Sequence, residues 1–88
     1  MTQDKNISES YRKSIMERIE TDCLFLGLET SWDLSIGTTR VYETIRNIPV
    51  RWARQIARKG YNVPKVKLDR MRIAEAIVSA IAEQRKEG

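Results

Sequence analysis

Histidine is absent from these 88 residues, and cysteine occurs once, as Cys23. Imidazole acid–base chemistry and His-ligated metals are thereby excluded. A lone thiol cannot close a disulfide within one chain, nor build a cysteine metal centre. No apolar run approaches the roughly 18 residues that a spanning helix needs, and the opening MTQDKNISES lacks the apolar core of a secretory signal. A cytoplasmic protein without membrane contact is expected. Carboxylates such as Asp22 and Asp33 are present, but no nucleophile–base pair, phosphate-binding glycine loop or metal-ligand spacing accompanies them. An enzyme is therefore not expected, and neither is a cofactor or a metal.

What is present describes a folded domain. Hydrophobic residues make up 41% of the chain and charged residues 32%, the balance of a globular protein with a heavily charged surface. One domain spans residues 1–88, near the size at which small proteins draw support from self-association. The net charge of +4 conceals segregation: residues 1–36 carry −3, residues 37–72 carry +8 and residues 73–88 carry −1. A basic middle of this kind is the electrostatic footprint of a polyanion-binding surface, although a solvated face gives the same composition.

Helical spacing dominates the pattern. Asn6 and Glu9 form a capping pair, after which Ile7, Tyr11, Ile15, Ile19 and Cys23 recur every four residues, predicting a first helix over about 7–25. Gly27 stops it. Thr30 and Asp33 then open a two-turn helix carrying Trp32, Leu34 and Ile36. Gly37 can supply a left-handed turn, with Thr38 or Thr39 capping a third helix whose inner side holds Val41, Thr44 and Ile45. Asn47, Ile48 and Pro49 mark the next boundary, and a fourth helix over about 49–59 buries Val50, Ala53, Ile56 and Ala57 and ends at Gly60. The segment Tyr61 to Lys67, which contains Pro64, reads as a linker or extended arm. A last helix over about 68–86 carries a broad apolar band including Met71, Ile73, Ile77, Val78 and Ile81. That band either faces its own domain on one side and a second chain on the other, or lies wholly within one chain. Cys23 reads as a small buried apolar group and Trp52 as packing.

The expected class is all-α, a four- to five-helix domain containing a helix-turn-helix unit at about 28–47, with the C-terminal helix used for oligomerisation. In such a unit one helix braces a second, whose outer face enters the major groove. Ser31 is the small contact, Leu34 and Ile36 flank the turn, Val41 anchors the second helix and Ile45 seals it. The order Ser31, Leu34, Ile36, Val41, continued through RNIPVRWARQIARKGYNV, resembles the phage Cro and CII regulators within the lambda-repressor-like DNA-binding fold. The resemblance covers residues 27–63. Ser35 stands where that family usually has the turn glycine, and Trp32 where it has an exposed polar residue.

The resemblance implies that Thr38, Thr39, Tyr42, Glu43 and Arg46 face the bases. Arginine can donate twice to guanine, threonine can pack on the thymine methyl, and glutamate can accept from cytosine. Arg40 is then a phosphate contact, joined by Arg51, Arg54, Arg58 and Lys59 on the next helix and by Lys65 and Lys67 beyond it. The implied partners are double-stranded DNA, a second copy of the chain as homodimer or tetramer, and RNA polymerase, which the regulator blocks or recruits. A different class stays open: a helical adaptor or inhibitor that docks its basic face on an acidic protein. RNA binding is a weaker third reading, because the aromatics form no evident strand platform.

Overall fold

Among the described residues, backbone hydrogen bonds fall almost entirely within helices. The computed structural model describes residues 7–27, 34–64 and 68–87. Among these it has four α-helices and no strand: α1 Glu9–Gly27, α2 Leu34–Ile45, α3 Val50–Gln55 and α4 Arg70–Glu87. The expected all-helical class is thus present. The proposed short helix with Trp32, the Asn6 cap, Lys65 and Lys67 lie outside the described residues.

Ser8 caps the start of α1, its Oγ accepting from the Tyr11 backbone N–H at 3.2 Å. A side-chain oxygen at this place satisfies one of the amides that a helix start leaves open. Ile15, Ile19 and Cys23 then point into the core, as their four-residue spacing requires, whereas Tyr11 is exposed on the same helix. It meets Trp52 edge-on, with ring centroids 5.6 Å apart.

The turn expected at Gly37 is not formed. α2 runs unbroken from Leu34 to Ile45, with Gly37 buried inside it, and no described glycine has positive φ. Thr38 and Thr39 accordingly do not cap a helix start. Their hydroxyls donate to the carbonyls of Leu34 and Ser35, at 2.8 and 3.0 Å, the back-bonding mode available to threonine in a helix interior. Val41 is buried, as its anchoring place demands, but Leu34 and Ile36 are 48% and 44% exposed and lie within the first turn of α2 rather than either side of a break. At the other end the Asn47 side-chain amide donates to the Glu43 carbonyl at 3.1 Å, occupying a carbonyl that the helix end leaves open.

Pro49 is the N-cap of α3. Its carbonyl accepts from the amides of Trp52 and Ala53 at 2.9 and 3.1 Å, and proline suits this place because its missing N–H has no partner to lose. From Ile56 to Gly60 the helix widens into a π turn. Asn62 then takes the left-handed conformation at φ 58°, and the Val63 amide reaches back to the Ala57 carbonyl at 3.0 Å. The helix therefore ends on an asparagine, which tolerates that region. Gly60 lies against α1: a Cβ there would stand 2.7 Å from the Met16 sulfur and would push the flexible end of that side chain aside.

Tyr61, expected in a linker or extended arm, is buried. Its hydroxyl donates to Glu20 Oε2 at 3.1 Å. Burial first, and then the neighbouring Glu20 carboxylate, push the phenol well above its ordinary range, since both disfavour the phenolate.

Asp69 caps α4, its carboxylate accepting from the Arg72 amide at 2.9 Å. Ile73, Ala74, Ile77, Val78 and Ile81 are buried and join Ile19, Cys23, Val41, Ile45 and Ile56 in one core. Fully burying a side chain of this size contributes about 1.5–3 kcal/mol. This corrects the expected oligomer contact. Ile73, Ile77, Val78 and Ile81 are covered by their own chain, and of the five residues assigned to a second copy only Met71 is exposed. Outward, α4 presents Arg72, Glu75, Ser79 and Glu83, a polar face.

Candidate nucleic-acid interface

α2 is a rod with one side in the core and the other in solvent. Val41 and Ile45 are buried; Thr38, Tyr42 and Thr44 are half-buried on the flanks; Ser35, Ile36, Thr39, Arg40, Glu43 and Arg46 are exposed. At about 100° of rotation per residue, Thr39, Glu43 and Arg46 follow one line along the outer side. Three of the five expected base-reading residues thus share a face. Thr39 is exposed, and although its hydroxyl donates to the Ser35 carbonyl the oxygen can still accept, because a hydroxyl accepts as well as donates.

Tyr42 does not belong to that face. It packs against the core and lines a depression with Val50, Arg54, Asp69, Arg70 and Met71 on the opposite flank. Thr38, also expected to read bases, is half-buried.

The basic residues divide in the same way. Arg40 and Arg46 are exposed and line a groove of about 580 Å³ between α1 and the end of α2. Arg18 and Asp22 from α1, with Glu43, complete its charged lining. Among the described residues none of these three arginines lies within 4 Å of a carboxylate. Arg40 and Glu43 also line a neighbouring depression with Ser35, Ile36 and Thr39, so the outer side of α2 runs directly into the groove.

Arg54, expected at a phosphate, is instead tied to its own backbone. It is half-buried and its Nε donates to the Leu68 carbonyl at 3.1 Å, holding the approach to α4. Arg70 does the same on the other side of that junction, its Nη2 donating to the Ile48 carbonyl at 2.7 Å. Arg51 is exposed on α3, while in the π turn Lys59 is exposed and Arg58 half-buried. The described basic residues of the middle of the sequence therefore do not form one continuous face.

Sequence reading missed Arg18, Asp22 and Tyr11, which the fold brings to the groove. A signal existed: Tyr11, Ile15, Arg18 and Asp22 fall at i, i+4, i+7 and i+11, one stripe of a helix. Arg18 was passed over because the acidic balance of residues 1–36 hides a single arginine.

No protein family model matches this chain, and no curated protein or solved structure matches it. No described helix is long and apolar enough to cross a membrane.

Proposed function

We propose that this is a DNA-binding regulator that lays the outer side of α2 into the major groove of duplex DNA. The observation that supports the reading most directly is the exposed line Thr39, Glu43 and Arg46 on a helix fixed from beneath by the buried Val41 and Ile45. Base readout needs this combination, because side chains on a mobile segment lose affinity in ordering costs. In this reading α2 is the recognition helix of a helix-turn-helix-type unit related to the Cro and CII regulators. α1, which packs against it, takes the bracing part. Arg46 reads guanine, Thr39 packs on thymine and Glu43 accepts from cytosine. Arg40 contacts phosphate, and Arg51 and Lys59 add more distant charge. Repression or recruitment of polymerase follows from where the site lies relative to a promoter. Pairing of two copies through α4 is not part of the proposal, since its apolar band is used inside the chain.

Titration of duplex DNA with the protein at stepped salt tests this. Affinity should fall log-linearly with salt, and a preferred sequence should outcompete scrambled DNA. Binding that ignores salt, or no binding at all, would remove the proposal.

One observation favours a second reading, a protein-docking module. Leu34 and Ile36 are both exposed in the first turn of α2, and an apolar pair beside charged residues suits the core and rim of a protein contact. On that reading Ile36→Ser abolishes binding to the protein partner, and a pull-down comparing the variant with the parent protein checks it.

A further inference from the structure

The groove between α1 and α2 holds more than the expected recognition helix. Tyr11 and Arg18 come from α1, Arg40 and Arg46 from α2, and Asp22 and Glu43 complete the charged lining. Three guanidiniums face two carboxylates, yet no pair of them closes to within 4 Å among the described residues. Helical spacing explains part of this. Arg18 precedes Asp22 by four residues, the less favourable order for a helical ion pair. The guanidiniums keep their donors for another acceptor.

We infer that this groove is a seat for one backbone phosphate of the duplex, with Arg18 of α1 as a phosphate contact beside Arg40, at the edge where Arg46 turns to the bases. The inference rests on the DNA-binding reading of α2 and extends the interface to a second helix. The charge is right for the ligand: the net of one positive charge in the lining matches the single negative charge of a phosphodiester. The guanidinium fork also fits phosphate oxygens in pairs, which an ammonium does not. Tyr11 adds a phenol at the wall, held in place by its edge contact with Trp52, and tyrosine hydroxyls are common phosphate donors. Position agrees as well, since the groove opens beside Arg46, at the end of the line that would face the bases.

The full-length protein, Arg18→Ala and Asp22→Asn are titrated against matched and scrambled duplexes at stepped salt. Arg18→Ala should bind both duplexes about tenfold more weakly, with the log–log salt slope reduced by about 1. Asp22→Asn should bind both more tightly. Thermal melting should not distinguish Arg18→Ala from the parent protein, because Arg18 is exposed. If the parent binds DNA in a salt-dependent way and Arg18→Ala keeps its affinity and slope, the phosphate seat is wrong while the proposed function stands. Loss confined to the matched duplex would make Arg18 a base contact, and would also overturn the assignment. If the parent shows no salt-dependent duplex binding, both fall together.

Discussion

On the α1–α2 side of the molecule Arg18, Arg40 and Arg46 line an open groove, and no carboxylate lies within 4 Å of any of them among the described residues. On the α3–α4 side Arg54 and Arg70 are half-buried and end on the carbonyls of Leu68 and Ile48. One residue type thus does two jobs in a small domain. A guanidinium bonded to backbone fixes one segment against another and has little left for a ligand. A guanidinium left in solvent contributes little to folding and keeps its donors, which is what a binding surface needs. Charge counted along the chain treats the two sets alike. Hydrogen bonding separates them.

The broadest way to break this contrast is to remove what supports both sides. Ile45 is fully buried beneath α2, and Ile45→Ala should cost about 2–5 kcal/mol of stability. Chemical denaturation would show a lowered midpoint at unchanged m-value, and DNA affinity should fall only in proportion to the folded fraction.

Next in size are the tied arginines. Arg70→Ala leaves the Ile48 carbonyl without its 2.7 Å donor and should destabilise by about 1–3 kcal/mol. Arg54→Ala should act in the same direction, and neither should alter the salt slope of DNA binding. Equal stability of both variants with the parent protein would show that the two sets of arginines are not distinct.

Arg46→Ala should do the reverse. Its stability should stay within about 0.5 kcal/mol of the parent, while discrimination at one base pair falls by about 1–3 kcal/mol. A loss spread evenly over all sequences would move Arg46 from the base-reading line to the phosphate contacts.

The smallest effect concerns neither set. Tyr61 has its phenol raised above the ordinary value of 10.0 by burial and by Glu20. The folded state therefore holds this proton more tightly than the unfolded chain. Its contribution is fully present below about pH 10 and is lost as pH climbs above that value toward the folded one. Tyr61→Phe should melt slightly lower at neutral pH, by about 0.5–1.5 kcal/mol for the lost bond to Glu20, and should decline less steeply in alkali. Parallel pH curves for the two proteins would contradict the assignment.

Much of the fold was legible because it is local. Ile15, Ile19 and Cys23 announce the inner side of α1, and Asn47–Pro49 mark the break before α3. Gly37 misled because a glycine permits a left-handed turn without requiring one. Once Thr38 and Thr39 bond back to Leu34 and Ser35, the helix continues through it. The apolar band of α4 left a second chain open because Ala76, Ala80 and Ala82 count as hydrophobic, yet they are half-buried at its margins. The carbonyl partners of Arg54 and Arg70 lie 14 and 22 residues away. No spacing rule reaches contacts of that kind, so nothing local separates the tied Arg54 and Arg70 from the open Arg18, Arg40 and Arg46. The groove was hidden for the same reason, since its walls come from two helices with opposite charge balance.

The central claim is that the outer side of α2 reads DNA. Selection of bound duplexes from a random pool, run in parallel with the parent protein and Arg46→Ala, tests it most directly. A short motif recovered by the parent, with one position losing its preference in the variant, is the predicted result. A pool that stays random with the parent protein, or an identical motif recovered at equal strength by both, would contradict it.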